Sequence, residues 1–144
     1  MKIQIPFHII ELDPGNFHIY VTLNILNRDV NLLIDTGASQ SVIDRECKDL
    51  VRSTSERLKK QFTDSGYSIN SEIKEFGSGI IPEIFFHKKK IGDLNVILID
   101  LNYINTLYRK YTDIKINGLL GCDFLVKFNA VINFTGKTVT LWRE

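Results

Sequence analysis

The sequence predicts a mostly β domain with two or three short helices. Three observations lead there. In "FHIYVTLNI", Phe17, Ile19, Val21, Leu23 and Ile25 alternate with His18, Tyr20, Thr22 and Asn24, the period of a half-buried strand. One turn later, Val30 to Ile34 forms a nearly continuous apolar run. Near the end, "AVINF" and "TVTLW" flank Thr135-Gly136 as the two arms of a hairpin. A chain of 144 residues is long enough to bury about two-thirds of its unfolded surface.

Taken in order, Ile3 and Ile5 alternate with polar neighbours as a first strand, and Asp13-Pro14-Gly15-Asn16 is a turn by composition. Asn27-Arg28-Asp29 turns the long strand back into Val30–Ile34. Val42-Ile43 is a short strand, and Asp44 is a fair helix cap with Cys47, Leu50 and Val51 on one face. A second short helix is expected around Leu58. Gly66 to Ile81 reads as a hairpin or loop, followed by strands at Glu83–Phe86 and Leu94–Ile99. Tyr103, Leu107, Tyr108 and Tyr111 fall at helical spacing, and Phe124, Leu125 and Phe128 make another short amphipathic helix.

Eighteen Lys and Arg against seventeen Asp and Glu leave a formal charge of +1, which argues against nucleic-acid or anionic-membrane partners. The basic run Lys88–Lys90 reads as a solvated turn. Cys47 and Cys122 form no CxxC pair and read as two small apolar thiols in a reduced compartment. The opening "MKIQIPFHIIELDPG" lacks the apolar core of a signal peptide, and no stretch reaches the ~20 apolar residues of a membrane span. The expected location is therefore cytoplasmic. His8, His18 and His87 are scattered without ligand spacing and read as surface or strand histidines, so no metal or cofactor is expected.

The chemistry gathers at "LLIDTGASQS", Leu32 to Ser41. An apolar strand should end on a carboxylate only where that group is solvated or used, because burying it unpaired costs several kcal/mol. In Asp35-Thr36-Gly37 the glycine lets the backbone turn and offers an N–H near the carboxylate, and the threonine hydroxyl both donates and accepts. Ala38 and Ser39 keep the turn small. A bare Asp-Thr-Gly could simply stabilise a turn. Here it follows four apolar residues interrupted only by Asn31, and a second element, Leu119-Leu120-Gly121, opens a helix at a domain-scale distance.

At these residues the chain resembles the retropepsin-like aspartic proteases. The first hallmark of that family is matched by Leu32-Leu33-Ile34-Asp35-Thr36-Gly37-Ala38-Ser39, the second by Leu119-Leu120-Gly121-Cys122-Asp123-Phe124-Leu125. The resemblance implies one retropepsin-like domain over 1–144, folded as a closed β barrel, with Asp35 as catalytic carboxylate. It further implies that Leu119 and Leu120 pack beneath the Asp loop and that Gly121 lets the helix approach it. Asp123 is then a structural hydrogen-bonding residue near that loop. A flap hairpin is expected over Gly66 to Gly79, its tip at Ile69 to Ile73 around Asn70-Ser71 or at Gly77-Ser78-Gly79. The segment Leu101–Lys115 is longer than the family pattern; it could wall the cleft, contact a partner or cover the core, and covering the core is the first expectation.

Peptide hydrolysis of this kind uses two carboxylates around one water, and the chain offers no second Asp-Thr/Ser-Gly after an apolar strand. A complete site therefore requires a second copy, most simply a twofold homodimer acting on a peptide or protein substrate. The terminal strands, Lys2–Phe7 and Thr138–Trp142, are expected to offer open edges for it. The resulting reading is an aspartic endopeptidase. The alternative is a catalytically silent module of the same fold that binds peptides or dimerises. A phosphoryl-transfer aspartate lacks the accompanying residues.

Overall fold

The computed structural model describes residues 1–53 and 75–143. Its strands are β1 (Lys2–Pro6), β2 (His8–Glu11), β3 (Phe17–Ile25), β4 (Arg28–Ile34), β5 (Val42–Asp44), β6 (Arg52–Ser53), β7 (Glu75–Phe86), β8 (Lys89–Ile99), β9 (Gly118–Leu120), β10 (Val131–Asn133) and β11 (Thr138–Trp142). A 3₁₀ helix spans Arg45–Leu50, and two α-helices follow, α1 (Asn102–Tyr108) and α2 (Cys122–Lys127).

Strands β3, β4, β9, β5, β8 and β7 pair in that order, and β7 returns to β3 where Phe85 lies opposite Asn24, closing the sheet into a barrel. The closed β barrel expected from the resemblance is present. Its decisive pairing is parallel: Leu32, Leu33 and Ile34 of β4 lie beside Gly118, Leu119 and Leu120 of β9. Parallel neighbours cannot be joined by a tight turn, so the chain between them builds most of the barrel before returning.

Alternation sorts the core. Ile19, Val21, Leu23 and Ile25 of β3, with Val30 and Leu32 of β4, point into the barrel beside Ile81, Ile84, Ile91, Leu94 and Leu120. The other face of the same two strands carries Tyr20 and Leu33, paired across the ladder. That face is covered by Tyr108 and Ile116 together with Ile10. Strand β4 reads as nearly continuous apolar sequence because both of its faces are buried.

The segment 101–116 thus covers the outside of β3 and β4, as expected. Buried polar groups fasten it: Asn105 donates to Ile116 O at 2.9 Å and accepts from Ile116 N–H at 2.8 Å. Leu101 N–H donates to the buried Asp44 carboxylate at 3.1 Å. Asp44 therefore does not cap the following helix with its side chain, and that helix is 3₁₀ and kinked at Cys47. Cys47 and Leu50 are buried on it and Val51 packs against the core. Cys47 and Cys122 are both free thiols, and burial pushes the Cys47 thiol up from its ordinary value.

Other boundaries also differ from expectation. The β3–β4 turn is tighter, with Leu26 and Asn27 both left-handed at φ 50° and 62°. Two such residues in succession match the right-handed twist of the strands they join. Strands β7 and β8 are longer than predicted, and Lys89 and Lys90 lie in β8 rather than in a turn. Three register shifts along β7 displace its alternation, and each such bulge hides period two from a reader of the sequence. The expected helix around Leu58 lies outside the described residues.

The terminal sheet runs β1-β11-β10. Strand β11 is central and paired on both sides, so Thr138–Trp142 offers no open edge; the outer edges belong to β1 and β10. Among the described residues no helix is long and apolar enough to cross a membrane.

Gly118 marks the tightest point of the β4–β9–β5 contact. A Cβ there would lie 2.4 Å from Val42 O and 2.8 Å from Leu32 Cδ2. Gly118→Ala should cost about 1–3 kcal/mol, as overpacking does. Gly136→Ala, whose nearest atom would lie 3.4 Å away on an exposed turn, should change little. Urea midpoints of the two variants check this.

Candidate active site

Strand β4 delivers Asp35 to the end of the barrel, where β9 fixes its backbone. Asp35 N–H donates to Leu120 O at 2.9 Å. The loop then folds on itself: Ala38 N–H donates to Asp35 O at 3.1 Å, and Gly37 N–H donates to Asp35 Oδ1 at 2.9 Å. One carboxylate oxygen is thus held by the loop's own backbone, and the carboxylate stays half-buried. Thr36, Gly37 and Ser39 are exposed around it, and Ala38 is half-buried.

The second glycine motif meets this loop backbone to backbone. Cys122 N–H donates to Ala38 O at 2.8 Å, and Cys122 Sγ–H to Thr36 O at 3.1 Å. A Cβ on Gly121 would lie 2.7 Å from Ala38 O, so only glycine admits this approach. Leu120 is buried in the core, and Leu119 packs against the outer cluster of Tyr20 and Leu33.

Asp123 is joined to the far end of the loop through Ser41. The carboxylate accepts Ser41 N–H at 3.0 Å and Ser41 Oγ–H at 2.7 Å, and also takes Phe124 N–H at 2.8 Å. Ser41 Oγ in turn accepts Gly121 N–H at 3.0 Å. Ser41 is 0% exposed, and all its polar atoms that could be stranded have partners. Sequence reading missed it. The available signal was weak: a hydroxyl directly before the apolar pair Val42-Ile43.

Asp35 and Thr36 open onto a cleft of about 650 Å³. Its walls are apolar, from Ile9, Phe17, Ile19 and Leu33 on one side to Ile132 and Phe134 on the other, with His18 among them. His18 is a strand histidine, as read from the sequence, but its ring Nδ1 is hydrogen-bonded to the hydroxyl of Tyr108. Tyr108 is 1% exposed. Burial, with the nearby Asp35 charge, pushes its hydroxyl up to about 12. Neither residue stood out as part of the site, because their meeting joins β3 to a helix 90 residues away.

Of the flap candidates, Ile69, Asn70 and Ser71 lie outside the described residues. Gly77, at φ 122°, and Gly79 belong to β7. Gly79 is buried and paired with Ser53 on one side and Val96 on the other, which puts it in the barrel wall rather than at a hairpin tip. Among the described residues no three His, Cys, Asp or Glu side chains gather as metal ligands would.

A family model described as aspartyl protease matches residues 21–124, a span that includes both glycine motifs. Two solved structures are similar to the chain at low identity. The retroviral protease-like domain of Ddi1 from Leishmania major is 17% identical, with 85% of this chain and 86% of that one covered and a TM-score of 0.54. A retropepsin-like aspartic protease from Rickettsia conorii is also 17% identical, with 98% and 88% covered and a TM-score of 0.47. No curated protein matches the chain.

Ser41→Ala leaves Gly121 N–H without its acceptor and removes one donor from Asp123. The loss should be about 1–3 kcal/mol, the cost of stranding a buried polar group. Chemical denaturation of this variant beside the parent measures it.

Proposed function

We propose that this chain, which belongs to the aspartyl protease family, is an endopeptidase whose active site is assembled from two copies, each contributing Asp35. The observation that carries the reading is the setting of that carboxylate. It ends a buried strand, accepts one backbone hydrogen bond, from Gly37 N–H, on a residue whose own N–H and C=O are both held, and opens onto an apolar cleft large enough for side chains. Asp123, by contrast, spends both oxygens on Ser41.

One such carboxylate is half of the chemistry. Two carboxylates ~3 Å apart cannot both ionise, so they share one proton. The ionised member takes a proton from a water between them as its oxygen attacks the scissile carbonyl. The protonated member donates to the carbonyl oxygen, giving a tetrahedral diol. Collapse breaks the C–N bond, the leaving nitrogen receives a proton, and water has been added across the peptide bond. The loop backbone keeps each carboxylate in place, which supplies the fixed geometry such a reaction needs.

A twofold arrangement has support beside the cleft. Among the described residues strand β10 has no partner on its outer edge, and Ile132 of that strand and Phe134 just after it line the cleft. Val131 and Phe134 are 53% and 62% exposed, an apolar fringe suited to a second copy. The Thr36 side chain, exposed at the cleft mouth, makes no hydrogen bond among the described residues and is available to bond across the axis. The same geometry would serve a silent peptide-binding module, so the decision rests on hydrolysis.

Purified protein should degrade an unstructured substrate such as casein, and Asp35→Asn should reduce the rate to background with an unchanged circular-dichroism spectrum. Activity retained in Asp35→Asn excludes the aspartic mechanism, and an inert parent that still binds peptide supports the silent module.

The two-copy site makes a separate demand. Parent enzyme mixed with excess Asp35→Asn and allowed to exchange subunits should lose activity in proportion to heterodimer formed. Undiminished activity after complete exchange, shown by sedimentation of labelled chains, contradicts it.

A further inference from the structure

Among the described residues, and apart from Asp35 and Thr36, the cleft is lined by isoleucine, leucine and phenylalanine, with one polar exception: His18. Its ring is not loose. Nδ1 is hydrogen-bonded to Tyr108 Oη, and the two ring centroids lie 5.8 Å apart. Tyr108 is buried among Ile10, Tyr20, Leu33 and Ile116, and His18 is the hydrogen-bond partner of its hydroxyl among the described residues.

That pairing decides which nitrogen carries the proton. A buried hydroxyl needs an acceptor for its hydrogen, and the atom in reach is His18 Nδ1. If Nδ1 were protonated in the neutral ring, it would donate to Tyr108 Oη and strand the tyrosine hydrogen inside the apolar cluster. The satisfied arrangement is Tyr108 O–H donating to Nδ1, which leaves the ring's hydrogen on Nε2. Tyr108 keeps that hydrogen over the working range, since burial and the Asp35 charge hold its hydroxyl at about 12. His18 itself is exposed on the cleft wall, so Nε2–H is a donor of fixed sense in an apolar surround.

Resting on the reading of this cleft as a peptide site, we propose that His18 is a specificity-determining residue that donates from Nε2 to a side-chain carboxamide, glutamine or asparagine, of the bound peptide, and that Tyr108 is the positioning residue that sets its tautomer. Once a bound peptide covers His18, an apolar side chain beside it leaves Nε2–H unpaired, and this rejects it. A carboxamide is favoured over a carboxylate because the cleft already holds the charge of Asp35, and like charges disfavour each other at short range.

The test uses fluorescent peptides carrying glutamine, glutamate or norleucine in turn at each position. Their binding to Asp35→Asn and their cleavage by the parent are both measured. At one position, glutamine should exceed norleucine by about tenfold in both measurements, the size of a hydrogen bond covered by the bound peptide, and should exceed glutamate in cleavage by the parent, which keeps the Asp35 charge. Adding His18→Leu should abolish the ratio while norleucine peptides bind as before. Tyr108→Phe should lower the ratio and shift the imidazole ¹⁵N resonances of His18 away from the Nε2–H pattern. The proposal is overturned if no position prefers glutamine, if the preference survives His18→Leu, or if the parent's His18 shows the Nδ1–H pattern. A parent that cleaves nothing, with His18-dependent glutamine preference intact in binding, refutes the endopeptidase and keeps this assignment. Cleavage without the preference does the reverse, and no binding and no cleavage refutes both.

Discussion

Everything the cleft presents depends on the parallel pairing of β4 with β9. Three register pairs, Leu32–Gly118, Leu33–Leu119 and Ile34–Leu120, bring two stretches of chain together that lie more than eighty residues apart. Asp35 is the next residue on one strand and Gly121 the next on the other, so the pairing sets the carboxylate loop directly against the start of α2. Glycine at both ends of β9 is what allows the approach, since Val42 O and Ala38 O occupy the space where a side chain would begin.

Polar groups in this region are distributed so that each burial is compensated. Ser41 and Asp123 satisfy one another and also hold Gly121 N–H and Phe124 N–H. Asp44 accepts Leu101 N–H, and Asn105 closes a two-bond ring with Ile116. These groups contribute position more than net stability, because a paired buried polar group recovers little beyond its own desolvation. Against that background the setting of Asp35 is distinctive: half-buried, held by the backbone of its own loop, and facing an apolar cleft.

The covering segment links fold to cleft. Tyr20 and Leu33 would leave an apolar face in water if 101–116 did not lie over them. In covering it, α1 brings Tyr108 to the start of β3, where its hydroxyl reaches His18, a polar side chain of the otherwise apolar wall among the described residues. A packing requirement and the polarity of the cleft are met by the same residue.

Sequence alone determined Phe17–Ile25, because its barrel-facing residues recur at period two, and the closing hairpin, because Thr135-Gly136 marks its turn. It also determined the two glycine motifs, since a carboxylate after an apolar strand and an apolar-apolar-glycine before a helix are local patterns with local causes. Where the ladder shifts register, as along β7, the pattern was lost and the strand was read short. Tertiary structure alone decided that Asp44 serves Leu101 instead of capping a helix, that Ser41 completes the loop, that β11 is enclosed while β10 is open, and that His18 faces Tyr108. Each of these is a choice of partner across a long stretch of chain, and residue type records only the capacity to hydrogen-bond or pack, while the fold selects which group comes within reach.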